Sequence, residues 1–174
     1  AMMARYGAAA DGIGDDAAVL DVPAGQRLVV STDVSVEGAH FRADWLSPEE
    51  IGARATTAAL SDLAAMAATP IGIVVAFTLP DAWRAAAPAL ADGVARAAVA
   101  AGTRIIGGDL SDGGALALAV TVLGVAGTPV TRAGAQPGDA VWVTGRLGGP
   151  GRAVAAWQRG DAPAPGDRLR FASP

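Results

Sequence analysis

The 174-residue sequence has no cysteine, no lysine, no asparagine, a single histidine and few aromatic residues. Without cysteine there is no disulfide framework and no thiol nucleophile. Without lysine the phosphate-cradling Gly-Lys-Ser/Thr loop is excluded. A Ser-His-Asp triad would have to use His40, and no nucleophile elbow accompanies it. No apolar run approaches the ~20 residues needed to span a bilayer, and residues 1–5 lack the apolar stretch of a signal peptide. An intracellular, cytoplasmic protein is therefore expected. A net charge of −4 with scattered arginines argues against a nucleic-acid surface, which needs a basic patch.

What the chain has instead is aspartate, 14 residues against three glutamates. Four short runs stand beside apolar stretches: Gly14-Asp15-Asp16, Ser31-Thr32-Asp33, Ser61-Asp62 and Gly107-Gly108-Asp109. Mg²⁺ prefers hard oxygen ligands and keeps water and substrate phosphates in its shell. Short carboxylates at the ends of rigid elements suit that chemistry. Taken singly, each run is also a common turn signal. Gly12-x-Gly14-x-x-Ala17 precedes a strand and does not open a helix, so it fails as a dinucleotide fingerprint.

The pattern along the chain is α+β. Residues 28–36 read as a strand. Ser47-Pro48-Glu49-Glu50 opens a helix, with Ser47 as N-cap, Pro48 in the first turn and Glu50 completing a capping box. That helix is expected to run to about Ala68 and stop at Thr69-Pro70. The apolar residues 71–79 predict a buried strand. Asp81 is expected to cap a second helical stretch, restarting at Pro88 and ending near Gly102. A short strand over 103–106 should lead into Gly107-Gly108-Asp109, and a longer one should cover 115–126 after the turn at Asp112-Gly113-Gly114. Beyond Gly127 the texture becomes turn-rich. A strand over 140–144 and a helix over about 152–159 look like the opening of a second domain, with the boundary near residue 135.

Together the runs carry a resemblance. Gly12-Ile13-Gly14-Asp15-Asp16-Ala17-Ala18-Val19-Leu20, Ser31-Thr32-Asp33 followed by Val36-Glu37-Gly38-Ala39-His40-Phe41, Leu60-Ser61-Asp62-Leu63-Ala64-Ala65-Met66 and Gly107-Gly108-Asp109 resemble, in order and spacing, the thiamine-monophosphate kinase family. This family lies within the aminoimidazole ribonucleotide synthetase-like ATP-binding superfamily. The resemblance covers roughly residues 11–150. It implies ATP- and Mg²⁺-dependent phosphorylation of thiamine monophosphate to the diphosphate, without a general base. It implies that Asp16, Ser31, Thr32, Asp33, Asp62 and Asp109 are ligands of several Mg²⁺ ions. Gly108, Asp109 and Arg132 would contact ATP, and His40 would contact the substrate.

The implied fold is a mixed sheet with helices on one face, pairing into a barrel across a homodimer. Residues 1–135 would form the metal- and ATP-binding domain and 136–174 the incomplete start of a C-terminal domain. The chain would be a piece of a protein about twice its length, dimeric but without useful kinase activity alone. Family members usually carry Asn before Leu-Ser-Asp and Gly after Ala-Met, where this chain has Ala59 and Ala67. Two other readings compete: another ATP-dependent enzyme of the superfamily, either a ribonucleotide synthetase or a maturation factor, and a non-catalytic dimerisation module whose aspartates solvate turns.

Overall fold

A computed structural model describes residues 2–10 and 16–174, so the run Gly12-Ile13-Gly14-Asp15 lies outside the described residues. The chain begins with a short helix α1 (Met2–Tyr6) and a 3₁₀ turn (Gly7–Ala9). Four strands follow in sequence, β1 (Arg27–Val36), β2 (Thr69–Thr78), β3 (Ile105–Ser111) and β4 (Ala117–Ala126). They form one mixed sheet in the order β1-β4-β2-β3. β4 is antiparallel to both β1 and β2, while β2 and β3 run parallel. Parallel neighbours need a crossover, and helix α3 (Ala87–Ala100) supplies it.

Helices α2 (Pro48–Ala65) and α3 cover one face of the sheet. The core between them holds Leu63, Leu90, Ile73, Val75, Leu118, Val120 and Val122, all at most 2% exposed. Two glycines let the helices touch. A Cβ at Gly93 would lie 2.0 Å from the Glu49 carbonyl oxygen, and one at Gly52 would lie 2.1 Å from that of Leu90. No larger residue fits this crossing.

The start of α2 is as expected. Ser47 Oγ accepts from the Glu50 amide at 3.2 Å, and Glu50 Oε2 accepts from the Ser47 amide at 2.8 Å. Its end comes three residues early, at Ala65. The Ala67 amide donates to the Ala64 carbonyl and the Ala68 amide to that of Leu63, which is a Schellman closure requiring a left-handed residue at position 67. Ala67 takes φ 52°, the only non-glycine with positive φ among the described residues. Thr69-Pro70 does not end the helix but begins β2, where the register shift between Pro70 and Gly72 accommodates a residue without an amide hydrogen.

Asp81 is not a cap. It sits inside a 3₁₀ turn (Asp81–Ala86) that leads into α3, and its carboxylate accepts from Arg84 Nε at 2.5 Å. Gly107-Gly108-Asp109 is not a turn after a strand but the middle of β3. β3 continues because parallel pairing with β2 satisfies its backbone, up to Ser111 opposite Thr78. The strand expected over 140–144 does not form: Val141 and Trp142 are 94% and 88% exposed, and among the described residues no strand pairs with them. Helix α4 (Gly149–Gln158) begins three residues before its expected start, and helix α5 (Pro165–Ala172) forms in a tail that reads as turn-rich. Both are held by aromatic contacts. Trp45 stacks on Trp157 at 4.9 Å, Phe171 meets both rings edge-on, and Arg168 pairs bidentately with Glu50 at 2.7 and 2.8 Å.

Candidate metal and substrate site

Pairing register decides which way the strand aspartates face. Ser31, Asp33 and Ser35 lie opposite Val122, Val120 and Leu118 of β4. Those three are core residues under the helices, so the three polar residues of β1 share the helix-covered face, at its edge. Thr32 lies on the other face, where its hydroxyl meets that of Thr121 at 3.0 Å.

Across from β1, α2 presents Arg54, Ala58 and Asp62 at spacings of four, one stripe along the helix. Two strand residues advance by about 6.6 Å and four helical ones by about 6 Å, so the stripes stay in step. The Ser31 hydroxyl donates to Asp62 Oδ2 at 2.6 Å. Asp33, Ser35, Arg54, Ala55, Ala58 and His40 line a small cavity of about 70 Å³ further along the same groove. Ala58 leaves the room. Asp62 therefore does not interrupt α2. It is the helix's contribution to a groove whose other wall is β1.

His40 is set by the tight loop after β1. Gly38 takes φ 82° and donates its amide to the Phe41 carbonyl, and the His40 amide returns to that of Val36. Phe41, 1% exposed, anchors the loop in the core. Glu37 is tied down by Trp83, whose Nε1 donates to Oε2 at 2.8 Å. The Val36 amide donates to His40 Nδ1 at 3.1 Å. A neutral imidazole accepting at Nδ1 carries its proton on Nε2, so His40 offers a donor.

Asp109 sits elsewhere. It lies on β3 opposite Ala76, with the Ser111 hydroxyl donating to Oδ2 at 2.7 Å. β1 and β3 are opposite edges of the sheet. Asp33 is level with Val120, Val75 and Gly108, so three strand spacings, about 14 Å, separate β1 from β3 at that level. Gly108 is required sterically, because a Cβ there would lie 2.2 Å from the Val75 carbonyl oxygen. Asp16 and Arg132 are exposed in irregular segments.

Ser31, Asp33, Asp62 and Asp109 offer only hard oxygen donors, which suits Mg²⁺ and not a soft metal. The donors are split, however. Among the described residues no three His, Asp or Glu side chains converge. The chain thus brings together Ser31, Asp33, Asp62 and His40 and holds Asp109 apart.

Two participants escape a motif reading, Arg54 and Trp83. A cation on the apolar stripe of α2, two turns before Asp62, is the signal that could have found Arg54. Nothing local points to Trp83, which reaches Glu37 across 46 positions.

Among the described residues no helix is long and apolar enough to cross a membrane. The thiamine-monophosphate kinase of Synechococcus elongatus is 47% identical over 138 residues, which cover 78% of this chain and 42% of that protein. The crystal structure of thiamine-monophosphate kinase from Stenotrophomonas maltophilia K279a superposes with a TM-score of 0.85 at 36% identity, covering 99% of this chain and 58% of that one. AaThiL complexed with AMPPCP and TMP superposes with a TM-score of 0.76 at 27% identity, covering 97% and 54%. The chain spans about half the length of these relatives. The motifs, the mixed sheet and a sequence match over residues 14–126 agree: the chain belongs to the family of AIR synthase related proteins and carries its N-terminal domain.

Proposed function

We propose that this chain is the metal- and nucleotide-binding part of a thiamine-monophosphate kinase, transferring the γ-phosphoryl group of ATP directly to the phosphate of thiamine monophosphate in the cytoplasm. The observation that carries the reading is the β1–α2 groove, in which Ser31, Asp33 and Asp62 place oxygen donors beside the His40 donor. The similarity to kinases of this name supports the substrate, and the complex with AMPPCP and TMP supports ATP as co-substrate.

Asp16, Ser31, Thr32, Asp33, Asp62 and Asp109 would hold Mg²⁺, which when bound neutralises the facing phosphates and draws them together. The chain's own contributions follow from its geometry. The Ser31 hydroxyl donates to one oxygen of Asp62, and the other would be available to a metal. Gly108 lets β3 approach β2 closely and, with Asp109 and Arg132, would face the nucleotide phosphates. His40 Nε2–H would donate to the substrate. No side chain needs to remove a proton, because a phosphate monoester with a second pKa of about 6 is already ionised near neutrality. Catalysis then rests on positioning and charge neutralisation.

The separation of Asp33 from Asp109 supports a homodimer. Among the described strands β1 and β3 end the sheet, with Ala10 bridging to Ile105 at the start of β3. Pairing β1 of one copy with β3 of the other would close two sheets into a barrel and bring Asp33 of one copy near Asp109 of the other. Residues 1–135 would form this unit, with 136–174 leading into a further domain.

Calorimetric titration with Mg²⁺-ATP tests the assignment. Asp62→Asn and Asp109→Ala should each weaken binding at least about tenfold, the scale of one lost charge-assisted contact. Equal heats for wild type and both variants would refute the site.

A further inference from the structure

Arg54 is the one charged side chain of the groove that the reading above leaves without a task. It lies midway along α2, half-buried, lining the same cavity as Asp33 and His40. Its guanidinium carbon stands 4.3 Å from the centre of the Phe171 ring. This cation–π contact steadies the group but uses none of its five N–H donors. Among the described residues Arg54 forms no hydrogen bond or ion pair. Arg5, Arg42, Arg84, Arg152, Arg159 and Arg168 each pair with a carboxylate, and Arg27, Arg96, Arg132, Arg146 and Arg170, which have no carboxylate partner among the described residues, are exposed where Arg54 is half-buried. Burial pushes the Arg54 pKa below the ordinary arginine value, and no carboxylate contact offsets that cost.

A partly desolvated guanidinium with free donors, opening into a cavity beside an N–H donor, is suited to an oxyanion. At about 70 Å³ the cavity suits a small group and not a whole nucleotide, whose pockets run to several hundred Å³. The groove also has a direction. Asp62 and Ser31 lie at one end, Asp33 in the middle, and Arg54 with His40 at the other. An anion held by Arg54 therefore lies on the substrate side of the carboxylates.

We propose that Arg54 binds the phosphate of the acceptor, together with His40, and selects phosphorylated over unphosphorylated substrate. This rests on the kinase reading. The guanidinium fork would take two phosphate oxygens and His40 Nε2–H a third contact, leaving the remaining oxygen free toward the Asp33 side, where the incoming phosphoryl group must arrive. Phe171 keeps the guanidinium plane in place, so that the charge is preorganised and not recruited from solvent.

The test is two-dimensional NMR of the arginine Nε–Hε signals of the full chain with Mg²⁺ present, titrated separately with thiamine monophosphate, thiamine and AMPPCP. The Arg54 signal is identified by its loss in Arg54→Gln. Thiamine monophosphate should shift it and thiamine should not. Wild type should prefer thiamine monophosphate by about 10- to 100-fold, the range for a charge-assisted contact. Arg54→Gln should reduce that preference to within about threefold, with AMPPCP affinity unchanged, and Arg54→Lys should restore part of it. Thermal unfolding of each variant identifies loss of fold, and Arg54→Lys, which keeps the charge, then carries the comparison. If wild type selects the phosphate and Arg54→Gln or Arg54→Lys selects it equally well, or if the substitution weakens AMPPCP instead, this role of Arg54 is refuted while the kinase reading stands. If wild type distinguishes none of the three ligands, both fall together.

Discussion

Replacing Ala67 with glycine should make the protein more stable. Three helices end in the same hydrogen-bonded closure. In α3, Gly102 donates to Val99 and Thr103 to Ala98; in α4, Gly160 donates to Trp157 and Asp161 to Ala156; in α2, Ala67 donates to Ala64 and Ala68 to Leu63. The left-handed residue is glycine in the first two, at φ 67° and 80°, and alanine in the third, at φ 52°. A Cβ in that region costs about 1–2 kcal/mol. Glycine returns about 0.5–1 kcal/mol of this through its greater freedom in the unfolded chain. The Ala67 methyl is exposed, so little burial is lost. Ala67→Gly should therefore gain about 0.5–1 kcal/mol, raising the thermal midpoint by about 1–4 °C for a chain of this size. Gly102→Ala and Gly160→Ala should do the reverse. Neither added Cβ meets any atom within 4 Å, so both report on backbone conformation without a clash. Urea unfolding followed by circular dichroism measures all three. A destabilised Ala67→Gly alongside a destabilised Gly102→Ala would refute the argument, because the same left-handed position would then prefer opposite residues.

Two further outcomes are expected. Gly93→Ala drives a Cβ into the Glu49 carbonyl and must wedge α3 from α2, costing about 2 kcal/mol and about 4–8 °C in thermal midpoint; an unchanged midpoint would show that the crossing yields easily. The Arg168 guanidinium, ahead of the Ser47 amide, holds the Glu50 carboxyl below its ordinary value. Because the folded pKa is the lower one, the stabilisation is present above the unfolded value of about 4.3 and is lost as pH falls through the folded value. With Arg168 39% exposed, solvent screening limits the coupling in a Glu50→Gln and Arg168→Met double-mutant cycle to about 0.5–1 kcal/mol at pH 7. It should shrink as the pH is lowered below 4.3, and coupling that grew in acid would contradict the assignment.

Much of this protein is set by interactions a few residues long, and those are readable in the chain. Ser47 and Glu50 bond each other across three positions, and Pro48 fits the first turn without regard to anything distant. The apolar runs of β2 and β4 declare buried strands. The oxygen-rich runs, in their order, declare the family.

Position in space was decided by pairing between distant segments. β3 extends through Asp109 because β2 is there to satisfy its backbone, whereas residues 140–144 have the composition of a strand and pair with no strand among the described residues. α5 packs its Phe171 against Trp45 and Trp157, contacts that no local pattern announces. Above all, register placed Ser31, Asp33, Asp62, His40 and Arg54 along one groove and put Asp109 on the far edge of the sheet. The identities of the candidate oxygen donors are local chemistry. Which of them can meet depends on strand order, because each strand crossed adds about 4.8 Å and the three between β1 and β3 add about 14 Å, too far for one ion to bridge within a single chain.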